Sequence, residues 1–116
     1  MPVVSVSEYG LGFNRAAIEM LGCPKAVRLG LSKKRRLIAV QALKAGTDAN
    51  GFEFASRERD GYVRINSRDF IRLLQSYHPG LKFEQARRCL ARWDDEAGLM
   101  YVDLDHVVDK ADKLGK

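Results

Sequence analysis

The sequence has no long apolar run and few residues of the kinds that cross-link small proteins or bind metals. Its 116 residues contain no hydrophobic stretch of the roughly 18 residues needed to cross a bilayer. The opening segment MPVVSVSEYG also lacks the basic region and apolar core of a secretory signal peptide. We therefore expect a cytoplasmic protein that does not enter a membrane, and the length predicts a single domain over residues 1–116.

Cysteine and histidine are scarce, with two of each in the chain. Cys23 and Cys89 lie far apart in unrelated contexts, which favours two buried free thiols in a reducing cytosol, with a disulfide as the alternative. His78 and His106 have no partner at a spacing typical of a metal site or a catalytic pair. No glycine-rich phosphate loop precedes a helix. The sequence therefore predicts a protein that is not an enzyme and uses no metal ion or cofactor.

Positive charge is distributed unevenly along the chain. The net charge is +5, and residues 1–44 hold eight cations against two acidic residues, whereas residues 52–104 hold nine of each sign. A local surplus creates a stronger field than the same charge spread evenly, which favours an anionic partner. The densest part of the surplus is the run Lys33-Lys34-Arg35-Arg36.

The same order of local signals occurs in the two halves of the chain. In residues 1–44, two short β segments precede a helix that Asn14 caps and Gly22 ends, and a hairpin follows. In residues 52–104, a strand over residues 52–57, a turn and a second β segment precede another helix and another hairpin. We interpret the chain as a β-β-α-β-β unit used twice, with residues 45–51 as a linker and residues 105–116 as a tail.

One such unit is too small to bury both faces of its strands, whereas two interlocked copies can close into a barrel without exposed strand edges. The predicted fold is therefore mainly β within the α+β class: a closed barrel of two interlocked β-β-α-β-β units. Residues 82–92 also fit a helix, but the alternation of Cys89, Ala91 and Trp93 favours a strand from about Arg87, after one helical turn.

The aromatic side chains fall at positions that continue the apolar pattern of their strand or helix, which predicts that they belong to the core. This disfavours binding of single-stranded nucleic acid by stacking of bases on aromatic rings. These aromatic residues are Phe13, Phe52, Phe54, Phe70 and Trp93.

The first half resembles a known family. The segment YGLGFNRAAIEMLGCPKAVRLGLSKKRRLIAVQAL runs from a glycine-containing strand through a short helix ending in Leu-Gly to a hairpin, and it resembles the AbrB/SpoVT/MazE pattern. The resemblance covers residues 3–43 moderately and residues 52–104 weakly. In that family, two chains exchange hairpins to form one swapped-hairpin barrel, and the dimer binds DNA. The resemblance implies a swapped-hairpin-like barrel for this chain. The resemblance therefore implies a dimer fused into one chain that binds DNA as a transcriptional regulator or antitoxin-like module.

The cations of the first half are the predicted DNA contacts, because lysine and arginine on a hairpin tip, its strand and a helix start would neutralise phosphates. The alternative is a solvated tip without a partner. The predicted nucleic-acid-binding residues are Arg15, Lys25, Arg28, Lys33, Lys34, Arg35 and Arg36. A second patch, weakened by acidic neighbours, is predicted from Arg57, Arg59, Arg64, Arg68 and Arg72.

Alignment of the halves suggests an alternative function. The basic tip SKKRR is the counterpart of DDEAG in the second hairpin, so equivalent tips carry opposite charge. Opposite tips of two copies could meet head to tail, which would make the protein a non-enzymatic assembly module and a homo-oligomer.

Overall fold

The computed structural model describes residues 1–43 and 51–108. Within these ranges the strands are β1 (Val3–Ser7), β2 (Gly10–Phe13), β3 (Ala26–Leu31), β4 (Leu37–Leu43), β5 (Phe52–Glu53), β6 (Val63–Asn66), β7 (Arg87–Asp94) and β8 (Leu99–Val107). The helices are α1 (Arg15–Leu21) and α2 (Arg68–Tyr77), and a short 3₁₀ helix spans Ala55–Arg57. The predicted linker, apart from Gly51, and the predicted tail beyond Val108 lie outside the described residues.

The strands form one antiparallel sheet that curls into a nearly closed barrel. Its strand order is β5-β3-β4-β8-β7-β1-β2-β6, so the two ends of the sheet are β5 and β6, which are consecutive in the chain. The predicted fold class, a mainly β barrel of swapped-hairpin type, is confirmed.

In each half, the first strand pairs with the first strand of the hairpin that follows the helix of the other half. β1 lies beside β7, with Val4 opposite Cys89, and β5 lies beside β3, with Phe52 opposite Val27. The halves also meet directly, where β4 pairs with β8 and β2 pairs with β6. Neither half completes its own part of the sheet, so the core forms only when the two halves interlock.

The strand pairing is symmetric about a pseudo-twofold axis that exchanges the two halves. On one side of the barrel the axis passes through the pair Ala39–Tyr101, and on the other through the pair Gly12–Arg64. Flanking pairs exchange places under this axis and are mostly buried apolar contacts. They are Ile38–Val102 with Val40–Met100, and Leu11–Ile65 with Phe13–Val63.

The two halves differ where the barrel closes. A two-residue turn joins β1 to β2, whereas residues 54–62 join β5 to β6. The predicted strand over residues 52–57 ends at Glu53, because the amide of Phe54 donates to the carbonyl of Lys25 and the chain then enters the 3₁₀ helix. The buried Phe54 ring packs edge-on against Phe13, with centroids 5.1 Å apart, and fills the gap between β5 and β6.

Both helices begin at the ends of the β2–β6 pair. The Asn14 side chain caps α1 by accepting from the Ala17 amide at 2.9 Å, and it also accepts from Val3 at 3.1 Å, which ties the helix to β1. Ser67 caps α2 by accepting from the Phe70 amide at 3.3 Å. A capping side chain satisfies amides that have no partner within the helix, so each helix start is fixed relative to the sheet.

The predicted strand from Arg87 is correct, and residues 83–86 form no helical turn, because β7 is held between β1 and β8. Of the predicted core aromatics, Phe13 and Phe54 are fully buried, and Phe52 and Phe70 are partly buried against the core. Trp93 is 40% exposed, so its assignment to the core was wrong. It is the next-to-last residue of β7, beside the β7–β8 turn.

Neither helix in the described parts of the chain is long and apolar enough to cross a membrane.

Gly10 lies close to the backbone of β6. Its φ of 151° disfavours any side chain, and a Cβ there would overlap the carbonyl oxygen of Ile65. Gly30 in β3 provides a contrast, because its nearest neighbour would be the Ala39 side chain at 3.8 Å.

We expect Gly10→Ala to lower the free energy of unfolding by roughly 2–4 kcal/mol, since the new methyl group must displace backbone. Gly30→Ala, the matched control, should change it by less than about 1 kcal/mol. Urea denaturation followed by circular dichroism measures both. Equal stability of the two variants would show that the β2–β6 contact is looser than described.

Candidate nucleic-acid interface

The seven cations predicted to contact DNA are all exposed, but they lie in three separate places. Arg15 is the first residue of α1. Lys25 lies just before β3, and Arg28 lies in the half of β3 away from the hairpin turn. Residues 33–36 belong to the tip of the β3–β4 hairpin. The structure therefore brings together four of the seven.

The basic tip, residues 32–36, is a tight turn next to the C-terminal end of α2. The Ser32 hydroxyl accepts hydrogen bonds from the amides of Lys34 and Arg35, at 3.3 and 2.9 Å. His78, the buried residue that follows α2, places Nε2 2.7 Å from the Ser32 carbonyl oxygen. The negative end of the helix dipole thus lies near the tip cations and stabilises them.

Two of the tip cations have partners among the residues that the structure describes. Lys33 Nζ lies 5.4 Å from the centre of the Tyr77 ring, and Arg36 Nη1 lies 3.5 Å from Asp105 Oδ1. Asp103 and Asp105 also line a groove that runs along the tip. Both contacts are solvent-exposed and individually weak. Together they make the tip a surface of mixed charge, whose attraction for a polyanion is smaller than its sequence alone implies.

A second group of arginines lies along the β2–β6 seam, defined as Gly10–Phe13 with Val63–Asn66. Arg64 is exposed on β6 and faces Gly12 at the pseudo-twofold axis. The hydroxyl of Tyr62 occupies the space that a side chain on Gly12 would take. The Arg64 guanidinium carbon lies 5.9 Å from the centre of the Tyr62 ring.

Arg15 and Arg68 occupy equivalent positions at the two ends of the seam, as the first residues of α1 and α2. The Arg68 guanidinium carbon lies 4.6 Å from the centre of the Tyr9 ring. Arg15 lies over Gly61, where a Cβ would come within 2.9 Å of its Cζ. The register separates the two arginines by seven positions along the seam, which is roughly 23 Å at a rise of about 3.3 Å per residue.

A cavity of about 710 Å³ opens at the Arg68 end of the seam. Its lining residues are Tyr9, Arg64, Asn66, Ser67, Arg68 and Asp69. Asp69 contributes a fully exposed carboxylate, 4.0 Å from Arg72 Nη1. Guanidinium groups present a planar fork of donors that matches the oxygens of a phosphate. Among the residues that the structure describes, Arg15, Arg64 and Arg68 form no ion pair, so their donors are available to a ligand.

Sequence alone assigns Arg15 to the predicted contacts, and Arg64 and Arg68 to the weaker second patch. Pairing of β2 with β6 brings the three together along one seam. The acidic neighbours are partly engaged, because Glu58 Oε2 accepts from the Gly61 amide at 3.1 Å. Alignment of the two halves is the signal that could have located the seam, since it makes Arg15 and Arg68 counterparts.

Over residues 1–43 and 51–108, no three His, Cys, Asp or Glu side chains come together as metal ligands would. Both cysteines are free. Cys89 is buried as expected, but Cys23 is exposed, because it follows the end of α1 on the surface. Burial raises the pKa of Cys89 from 9.0 to about 12.

Comparison with protein-family models, with curated proteins and with solved structures found no match.

We expect one thiol of the native protein to react with Ellman's reagent at pH 8, because a buried thiol with a raised pKa forms little thiolate. The second thiol should react only after unfolding in urea. Cys23→Ser should abolish the native reaction, which identifies the reactive residue. Rapid native reaction of the Cys23→Ser variant would contradict the burial of Cys89.

Proposed function

We propose that this protein binds duplex DNA across the β2–β6 seam, as a transcriptional regulator or antitoxin-like module of AbrB-like type. The observation that carries the proposal is the arrangement of three exposed arginines, Arg15, Arg64 and Arg68, about the pseudo-twofold axis. A duplex has twofold axes of its own, so a protein with a matching axis can contact both strands equivalently. A separation of roughly 23 Å corresponds to about seven base-pair steps at about 3.4 Å each, so the two arginines can contact phosphates of one duplex on either side of the axis.

The predicted tip contacts remain part of the proposal. α2 runs from Arg68 at the seam to Tyr77 beside Lys33, a length of about 15 Å, and Arg72 is exposed between them. A DNA backbone that runs from the seam along α2 would next meet the basic tip, residues 32–36. Lys25 and Arg28 would add to the field without direct contact.

Replacing Arg15 and Arg68 together by alanine should lower the slope of log affinity against log salt by roughly 1.8, at about 0.9 for each lost phosphate contact. Fluorescence anisotropy of a labelled duplex between about 50 and 200 mM salt measures the slope. Lys82→Ala removes a positive charge from an exposed position outside the seam and the basic tip, and it should leave the slope nearly unchanged. A slope of the Arg15→Ala/Arg68→Ala variant equal to that of the Lys82→Ala variant would refute the seam as the interface.

The tip is tested separately by changing Lys33, Lys34, Arg35 and Arg36 to alanine in one variant. A slope equal to that of the unmodified protein removes the tip from the interface and leaves the seam proposal intact.

The second candidate function is assembly through oppositely charged tips. The basic tip and the acidic tip, residues 94–98, lie at opposite ends of the β4–β8 ladder, so one copy presents a positive end and a negative end. Contact between unlike ends is heterologous, so it builds a ring where the rotation between copies closes and an open chain where it does not.

For assembly, we expect the mass at low salt to exceed that of a monomer and to fall as salt rises, because salt screens exposed charges. Light scattering after size exclusion measures it. The variant Asp95→Lys/Glu96→Lys should not associate, because both of its tips are then positive. Mixing it with a second variant, Lys34→Glu/Arg35→Glu, should restore association, because the two variants offer each other tips of opposite charge. A monomer at every salt concentration excludes this function.

A further inference from the structure

The two halves meet at the β2–β6 seam with matched backbones but unequal outer side chains. The pseudo-twofold axis makes residues 9–13, Tyr-Gly-Leu-Gly-Phe, the counterparts of residues 61–65, Gly-Tyr-Val-Arg-Ile. The counterparts that face the core, Leu11 with Val63 and Phe13 with Ile65, are all buried and apolar. The core therefore constrains the inner face in both halves, whereas the outer face differs in size and charge.

At the centre of the seam, the second half supplies both large outer side chains. Tyr62 and Arg64 have Gly10 and Gly12 as counterparts, so the first half contributes no side chain there. Tyr62 covers Gly12 on the side towards Arg15, because its hydroxyl occupies the space of the absent side chain. The centre thus carries one phenol and one guanidinium in place of a symmetric pair of each.

The two ends of the seam differ as well. At one end Arg68 stacks on Tyr9, and beside it opens the cavity of about 710 Å³. At the other end Arg15 lies over Gly61, which has no ring to stack on. An arginine held on an aromatic face loses less side-chain freedom on binding than one without such support. The two ends therefore offer a duplex different contacts at different entropic cost.

We infer that the protein binds duplex DNA in one orientation and selects a target whose two half-sites differ in sequence. This inference rests on the proposed function, since it takes the seam as the DNA contact. A barrel of two identical halves binds a duplex equally well either way round and favours a palindrome. Phosphate contacts at the two ends are the same for either orientation of the duplex, so they do not discriminate by themselves. At the centre of the seam only the second half supplies side-chain donors, Tyr62 and Arg64, and these can meet the base edges of one half-site but not of the other. The two orientations consequently differ in binding free energy.

Selection from a random duplex library by the unmodified protein is the first test. We expect an asymmetric consensus sequence. A palindromic consensus, or salt-dependent binding without any consensus, overturns the inference and leaves DNA binding standing. Failure to retain any duplex at low salt overturns both the inference and the proposed function.

The second test measures orientation by energy transfer from a dye on the protein to an acceptor at one or the other end of the selected duplex. Cys23 is exposed and Cys89 is buried, so the dye marks the first half only. Ser76 is the exposed counterpart of Cys23 in the second half, and Cys23→Ser/Ser76→Cys moves the dye there without altering composition.

We expect the Cys23 dye to transfer strongly to one end of the duplex and weakly to the other, with the preference reversed in the Cys23→Ser/Ser76→Cys variant. Anisotropy on the same samples confirms that the complex has formed. Equal transfer to both ends from both dye positions, in a complex that has formed, overturns the inference. The seam arginines are unchanged in both proteins, so the measurement does not depend on weakened binding.

Discussion

The interlocking of two incomplete halves is the constraint on which the other features of this protein depend. Within its own half, β1 has only β2 as a neighbour, and its other edge is completed by β7. β5 likewise depends on β3. A unit of about 45 residues cannot bury both faces of its strands alone. The strands of each half therefore become core only through the exchange, and the pseudo-twofold axis is its geometric consequence.

The composition of the seam follows from that axis. Residues on the axis face their own counterparts, so identical halves would place arginine directly opposite arginine, and like charges in opposed positions of a ladder repel each other. Gly12 opposite Arg64 avoids this repulsion and leaves room for Tyr62. The close approach of β2 to β6 at Gly10 has the same origin, since only a residue without a side chain fits beneath the neighbouring carbonyl group. The glycines of the first half thus determine which side chains of the second half fit on the outer face of the seam.

The opposite charges of the equivalent hairpin tips have causes within the chain. The basic tip lies beside Tyr77, His78 and Asp105, which are far from it in sequence. An aromatic face, a helix C-terminus and a carboxylate each favour a cation. Local sequence cannot reveal these neighbours, which is why the run of four cations looked in isolation like a surface made for an external polyanion.

Interactions between residues close together in the chain account for the elements that could be predicted from the sequence. The cap at Asn14, the end of α1 at Gly22, the alternation in both hairpins and the repeated order of elements all depend on neighbours a few residues apart, and they predicted the barrel class. Tertiary pairing decided that β5 ends at Glu53, that Trp93 and Cys23 are exposed, and that Arg15, Arg64 and Arg68 share one seam. These outcomes depend on which strand of one half meets which strand of the other, and residues some fifty positions apart carry no local signal of their contact.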